Sequence, residues 1–270
     1  RGLWSADDGE WFEALRTRYE RWRSTHDDAE KIPRILHQIW LGPAEVPFET
    51  FRRKLRTLHP DWEYRLWRDA DIQSFGLTNR DAFTAAANYG EKSDLLRYEI
   101  LHRLGGVYVD VDVEPLQAFD GLLGVGLFAG FSNVGAVELN NGLVGSAPGH
   151  ALLEQCLQQL AAPPKQRKDA VLAALLTSGF LDATQRQATQ KSLDDQAAAH
   201  TLETTGPGFF TRQFCSFLLA EASDDVLCVP PEIFYPAPNT AAATEASSFA
   251  TDDSLAVHHW ARSWVASSLS

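Results

Sequence analysis

The chain has 270 residues, 44% of them hydrophobic, and a formal charge of −12. That length and apolar content suffice for one packed α/β domain. The acidic balance excludes a nucleic-acid coat or a binder of anionic membranes, and it requires that an anionic substrate be neutralised locally, by a metal ion or a few placed arginines.

Trp11, Leu15, Arg18 and Trp22 lie near helical spacing and predict an amphipathic helix over 10–23, inside a lead-in of residues 1–30 that is too charged for a signal peptide. Next, "RILHQIWLG" reads as a short apolar strand closed by Gly42 and Pro43, with a helix around 48–58 and a second strand in "WEYRLWRD". Helices are expected over 80–89 and 92–104, then a valine strand at 107–113 and further strands in "GLFAGF" and "AVELNNGLVGSA". Alternating strands and helices predict a mainly parallel sheet covered on both faces. The second half reads as more helical: "HALLEQCLQQL", 165–178, around 182–198, and "FFTRQFCSFLLAEA" after the Gly206-Pro207-Gly208 break. The Ala/Ser/Thr-rich "APNTAAATEASSFATDDS" reads as a loop and a candidate lid ahead of the tail "LAVHHWARSW".

No apolar run reaches the roughly 18 to 20 residues of a membrane span, so the chain is expected to be soluble, without a membrane segment. It contains no methionine, even at position 1, which is expected of a processed or trimmed form. The compartment, cytoplasm or a lumen, is therefore not legible. Cys156, Cys215 and Cys228 are far apart and without CxxC spacing, which argues against a zinc ribbon and allows at most one disulfide.

The stretch "GGVYVDVDVEPL" carries the chemistry. Strand alternation puts Val107, Val109, Val111 and Val113 on one face and Tyr108, Asp110, Asp112 and Glu114 on the other. Asp110 and Asp112 are then about 6.6 Å apart, with a repulsion of about 2.5 kcal/mol at an effective dielectric of about 20. An exposed acidic strand face would tolerate this, but a divalent cation would turn the repulsion into a chelate of hard oxygens. The preceding helix, "EKSDLLRYEILHRLGG", has Leu96, Ile100 and Leu104 as a core stripe, Asp94 and Arg97 as i, i+3 neighbours, and Ser93 or Asp94 as expected N-cap. Its Gly105-Gly106 stop delivers the chain directly into the DxD strand.

Taken together, "IPRILHQIWLG", "KSDLLRYEILHRLGGVYVDVDVEPL", "LNNGLVGSAPGH", "TTGPGFFTRQF" and "AVHHWARSW" resemble, in order, the DxD sugar-binding glycosyltransferases that include fungal Golgi mannosyltransferases, α-galactosyltransferases and capsule enzymes, and more distantly the clostridial glucosylating toxins. The resemblance is dense over 31–116 and thins to islands afterwards. It implies a GT-A fold, a nucleotide-binding α/β sheet, in one domain over 31–270 with a nucleotide-sugar half at about 31–116 and an acceptor or lid half at about 117–270. It also implies a retaining transferase that uses Mn²⁺ or Mg²⁺, a UDP- or GDP-hexose donor and a carbohydrate, lipid or protein hydroxyl acceptor.

By the same resemblance Asp110 and Asp112 hold the metal and with it the donor diphosphate. Trp40 stacks on the nucleobase, Asp94 and Arg97 contact the sugar and phosphates, Tyr108 lies near the ribose, and Asn140 and Asn141 read sugar hydroxyls. His258, with His259 as second choice, completes the metal site, since alternation lets only one face inward. Ser263 and Trp264, with Arg262 beside them, would meet the phosphates as the lid closes. Without the resemblance, Trp40 reads as core, Phe209 equally as core or as part of an acceptor wall, the asparagines as a turn and the histidines as an exposed tail. UDP-hexose is the favoured donor and GDP-mannose the next. A nucleotide-sugar hydrolase and a non-catalytic ion-binding or nucleotide-binding protein are the alternatives.

Overall fold

A computed structural model describes residues 9–25, 29–134, 138–161, 198–220 and 225–261, with the isolated positions 184 and 187. The lead-in forms α1 (Gly9–Thr25), whose Tyr19 is buried and, with Trp22, packs against one hydrophobic core. The expected β-α-β start is present as β1 (Ile35–Ile39), α2 (Glu49–Leu58) and β2 (Glu63–Trp67), with β1 and β2 parallel. Two short helices, α3 (Asp69–Phe75) and α4 (Arg80–Ala85), lead to the long α5 (Tyr89–Leu104). α5 begins a turn earlier than its apolar stripe indicates. Asn88, not Ser93 or Asp94, is its N-cap and accepts the Glu91 N–H, so Asp94 falls inside the helix and is buried.

Gly105 and Gly106, both at positive φ, end α5 and start β3 (Gly106–Val109), which pairs in parallel with β1. A Cβ on Gly106 would sit 2.5 Å from the Ile35 carbonyl oxygen, so the close approach of these strands requires glycine. Within β3 alternation holds: Val107 and Val109 enter one core and Tyr108 the opposite one.

The expected continuous strand over 107–113 is broken. Asp110 to Val113 form a turn, the Val113 N–H donating to the Asp110 carbonyl at 3.1 Å, and β4 (Val113–Pro115) leaves the main sheet to pair with β8 (Ala256–His258). The two aspartates therefore do not share a strand face, and Val111 lines a cavity instead of joining Val107, Val109 and Val113 in the core. Local hydrogen bonds outweigh the valine pattern here: Asp110 N–H donates to the Gly142 carbonyl at 2.7 Å, and the Asp112 carboxylate accepts the Ala261 N–H at 2.8 Å.

β5 (Leu127–Phe131), β6 (Leu139–Ser146) and β7 (Val226–Val229) complete a sheet of order β2-β1-β3-β6-β5-β7. The sheet is mixed, because β6 runs antiparallel to both β3 and β5 while β5 and β7 are parallel. The short β5-to-β6 connection, 132–138, can only return the chain antiparallel, since a parallel crossover needs a dozen residues or more. α6 (Ala151–Leu160) and α7 (Pro207–Ala220) join α5 over one face, where Leu96, Tyr98, Leu152, Cys156 and Phe210 are fully buried. Phe119, Phe128 and Phe234, the last from α8 (Pro231–Phe234), fill the other.

The helices expected over 165–178 and most of 182–198 lie outside the described residues, as do Arg262, Ser263 and Trp264. The Ala/Ser/Thr-rich segment is irregular apart from a 3₁₀ turn at Ala246–Phe249, and Ala237, Ala246 and Val257 form a small core beneath it. Among the described residues no helix is long and apolar enough to cross a membrane. All three cysteines are free, Cys156 and Cys228 buried and Cys215 half-buried.

Candidate active site

The Asp110–Val113 turn, the end of β8 and the second turn of α5 meet at a cavity of about 460 Å³. Asp110, Asp112 and His258 each present one ligand atom to it, and those atoms all lie within 4.8 Å of one another. His258 Nε2 is 3.4 Å from Asp112 Oδ1 and 3.8 Å from Asp110 Oδ2. The second oxygen of each carboxylate is held by the protein: Asp110 Oδ1 accepts the Tyr108 hydroxyl at 2.6 Å, and Asp112 Oδ2 accepts the Ala261 N–H at 2.8 Å. Each aspartate thus has one tethered oxygen and one turned towards the imidazole. Two hard carboxylate oxygens and one imidazole nitrogen, their orientations fixed by second partners, are a donor set that fits a divalent cation.

Arg97 runs beside this group. Its guanidinium is 3.3 Å from Asp94 Oδ1 and 3.3 Å from Asp110 Oδ1, donates to the Asn141 carbonyl at 2.6 Å, and lies 4.3 Å from the centroid of the Tyr108 ring. Asp94 in turn accepts from Asn141 Nδ2 and from the Thr205 hydroxyl, both at 2.8 Å. Burial pushes the Asp94 carboxyl up to about 6, against the opposing pull of Arg97, Thr205 and Asn141. Burial works against the charge on Arg97, yet Asp110, Tyr108 and Asp94 together raise its pKa, so it stays a fixed cation.

The asparagines are not in a turn. Both are buried in β6, where the pairing with β5 slips: Ala129 faces Val144 but Gly130 faces Asn140. The bulge aims Asn141 at Asp94 and the Gly142 carbonyl at Asp110. Asn140 is engaged with the protein, donating to Ser132 Oγ at 2.9 Å and accepting the Gly142 N–H at 2.7 Å. A Cβ on Gly142 would stand 2.7 Å from Asp110 Oδ2 and 2.9 Å from Asn140 Oδ1. Gly142→Ala is therefore expected to displace the Asp110 carboxylate and to weaken Mn²⁺ binding about tenfold or more, with the fold retained; calorimetric Mn²⁺ titration beside a thermal melt checks both parts.

Trp40 lines the cavity with its indole N–H tied to the Ala44 carbonyl at 3.0 Å, and Tyr108 and Asn141 line it too. His258 and His259 point apart. His259 Nε2 is 3.3 Å from Glu114, its Nδ1 is 2.9 Å from the Ala243 carbonyl, and its ring packs on Phe51, so it is not brought to the aspartate pair. Phe209 is buried against Tyr98.

Sequence reasoning missed several residues. Trp260 sits edge-on to His258 with centroids 4.3 Å apart, at a left-handed φ of 52° that swings the tail round the site. Thr205, in the "TTGPG" stretch, anchors Asp94. Tyr89, Ser93 and Glu138 also line the cavity. The aromatic directly after the histidine pair was the available signal for Trp260; nothing local to "TTGPG" marks Thr205 as a partner of α5.

Burial alone would lower the His258 pKa, but Asp112, with Asp110 adding to it, raises it from 6.5 to about 9. Burial alone would raise Asp112, but His258 and the Ala261 N–H lower it from 3.8 to about 2. In chelator the pair should therefore stabilise the fold fully between about pH 4 and 6.5, losing the histidine's share as pH rises through about 9 and the aspartate's as pH falls through about 2. Melting temperatures across pH in EDTA, wild type minus His258→Gln, should show the largest difference inside that window and a shrinking one towards pH 9.

Several known proteins are similar to this chain. An inositol phosphoceramide mannosyltransferase of Schizosaccharomyces pombe, number 3, is 28% identical over 192 residues, 69% of this chain and 53% of that protein. Number 2 of the same organism is 31% identical over 156 residues, 56% of this chain and 44% of that one. The chain spans about half the length of these relatives. Among solved structures, the PaToxG glycosyltransferase is similar with a TM-score of 0.49 at 14% identity, over 79% of this chain and 78% of the other. Residues 47–127, a stretch that includes Asp110 and Asp112, match the family described as glycosyltransferase sugar-binding region containing DXD motif.

Proposed function

We propose that the protein is a metal-dependent, retaining glycosyltransferase that moves a hexose from a nucleotide-diphosphate sugar to a hydroxyl acceptor. The observation that carries this reading is the convergence of Asp110, Asp112 and His258 within 4.8 Å on a cavity that Arg97 also lines. Asp110, Asp112 and His258 would hold the cation, Mn²⁺ by preference because the set mixes two carboxylates with an imidazole. When bound, it supplies neutralisation of the departing diphosphate.

The other roles fall to the chain's own side chains. Arg97, a permanent buried cation, favours the negative charge that gathers on the leaving phosphate. Asp94 orients Arg97 and, with Asn141, borders the space for the sugar, while Trp40 offers an aromatic face to the nucleobase. Same-face attack, in which the acceptor hydroxyl enters as the diphosphate leaves, accounts for retention without a nucleophile, and it leaves Asp110 and Asp112 at the metal site and Asp94 with Arg97. The names of the relatives speak of mannosyl transfer to inositol phosphoceramide, so GDP-mannose replaces UDP-hexose as the first donor to test and a lipid headgroup hydroxyl becomes the first acceptor.

Radiolabelled GDP-mannose and UDP-glucose, each with Mn²⁺ and with or without inositol phosphoceramide micelles, test the reading. Transfer with retained anomeric configuration supports it. Release of free sugar alone makes the protein a hydrolase, and no nucleotide binding in Mn²⁺ would sink both.

A further inference from the structure

One acidic side chain on the cavity wall has no part in the donor site described above. Glu138 stands at the start of β6, where its carbonyl accepts the Ser132 N–H at 2.8 Å and the next residue, Leu139, donates to the Thr211 hydroxyl of α7 at 2.9 Å. Its backbone is thus pinned between two elements, and the residue lines the same cavity as Asp110, Val134 and Asn140.

The other acids of that wall are committed. Asp94 is bound by Arg97, Asn141 and Thr205, and Asp110 and Asp112 face His258. For Glu138 the described influences are burial, which raises its pKa, and the hydroxyl of Ser132, which lowers it. A half-buried carboxylate with one neutral hydroxyl beside it has room for further donors. The hydroxyls of a sugar or lipid headgroup are such donors.

Glu138 is also coupled to the metal-type turn. From its Ser132 partner a line of hydrogen bonds runs through Asn140 Nδ2 to Ser132 Oγ at 2.9 Å, Gly142 N–H to Asn140 Oδ1 at 2.7 Å, and Asp110 N–H to the Gly142 carbonyl at 2.7 Å. This line joins the strand ends that carry Glu138 and Asp110.

Resting on the glycosyltransferase reading, we infer that Glu138 binds the acceptor, its carboxylate receiving the hydrogen bond of the attacking hydroxyl and aiming that oxygen at the anomeric carbon. In the step it serves, the acceptor oxygen forms a bond to the anomeric carbon and the bond from that carbon to the phosphate oxygen breaks. The bonding pair leaves with the diphosphate, and the hydroxyl proton turns from Glu138 to the departing phosphate oxygen, whose growing charge draws it as the old bond breaks.

Glu138→Gln and Glu138→Ala test this, with GDP-mannose or UDP-glucose and Mn²⁺ as donor and inositol phosphoceramide micelles as acceptor probe. Transfer is expected to fall about 10- to 100-fold, the loss of one charge-assisted hydrogen bond. The thermal shift given by GDP or UDP with Mn²⁺, and hydrolysis of the donor by water, should stay as in wild type. The inference is overturned by unchanged transfer, by transfer, hydrolysis and nucleotide shift falling together, or by a glycosylated Glu138 adduct in mass spectra. A wild type that hydrolyses donor without transferring it, matched by Glu138→Gln, also overturns it while leaving the donor site standing. A wild type with neither nucleotide shift nor donor consumption defeats the glycosyltransferase reading, and this inference with it.

Discussion

Asp112→Asn is expected to reduce glycosyl transfer by about a thousandfold, since it removes an anionic metal ligand and so weakens the hold on the cation whose charge would offset that of the leaving diphosphate. The fold should survive. Asparagine keeps an oxygen able to accept the Ala261 N–H, and β4 and β8 stay paired through their backbones. The His258 imidazole should respond, because Asp112 is the leading influence that raises it. With that charge gone burial regains weight and the pKa falls, which NMR titration of the metal-free variant would follow. His259→Gln is the matched control: that ring contacts Glu114, Ala243 and Phe51 on the far side of the strand, so transfer should remain close to wild type.

Arg97→Ala is expected to be the most destabilising single change at the site, costing about 3 to 5 kcal/mol, because it leaves the buried Asp94 carboxylate without its cation. It also strips a donor from the Asn141 carbonyl and the cation from the face of Tyr108. Arg97→Lys should rescue only part of the loss, since one ammonium cannot reach Asp94, Asp110 and the Asn141 carbonyl as a planar fork does. Adding Asp94→Asn to Arg97→Ala should recover stability but not transfer, because the uncompensated charge disappears while the phosphate-facing cation stays absent. Urea unfolding in chelator, run on the single and double variants, separates pairing from catalysis.

Much of the site was legible because its residues lie in two short stretches whose periodicities are strong. The leucine stripe of "DLLRYEILHRL" and the glycines after it announced α5, the turn-over into β3, and the proximity of Arg97 to Asp110. At the tail, alternation puts His258 beside Asp112 and His259 against Glu114. It misled at the DxD itself: four valines at period two read as one strand, yet Asp110–Val113 is a turn, because the Val113 N–H closes on the Asp110 carbonyl and the Asp112 carboxylate accepts the Ala261 N–H. The bulge in β6 and the Thr205–Asp94 contact were beyond reach for a different reason. Each depends on which strand or helix lies alongside, a long-range fact with no local signature.

The central claim is that Asp110 and Asp112 bind the donor diphosphate through a metal ion. Isothermal titration of GDP and of UDP into the wild type and into the Asp110→Asn, Asp112→Asn double variant, each in Mn²⁺ and in EDTA, tests it most directly. At least one nucleotide should bind wild type in Mn²⁺, with that binding lost both in EDTA and in the variant; equal affinity in all four conditions, or none in any, would contradict it.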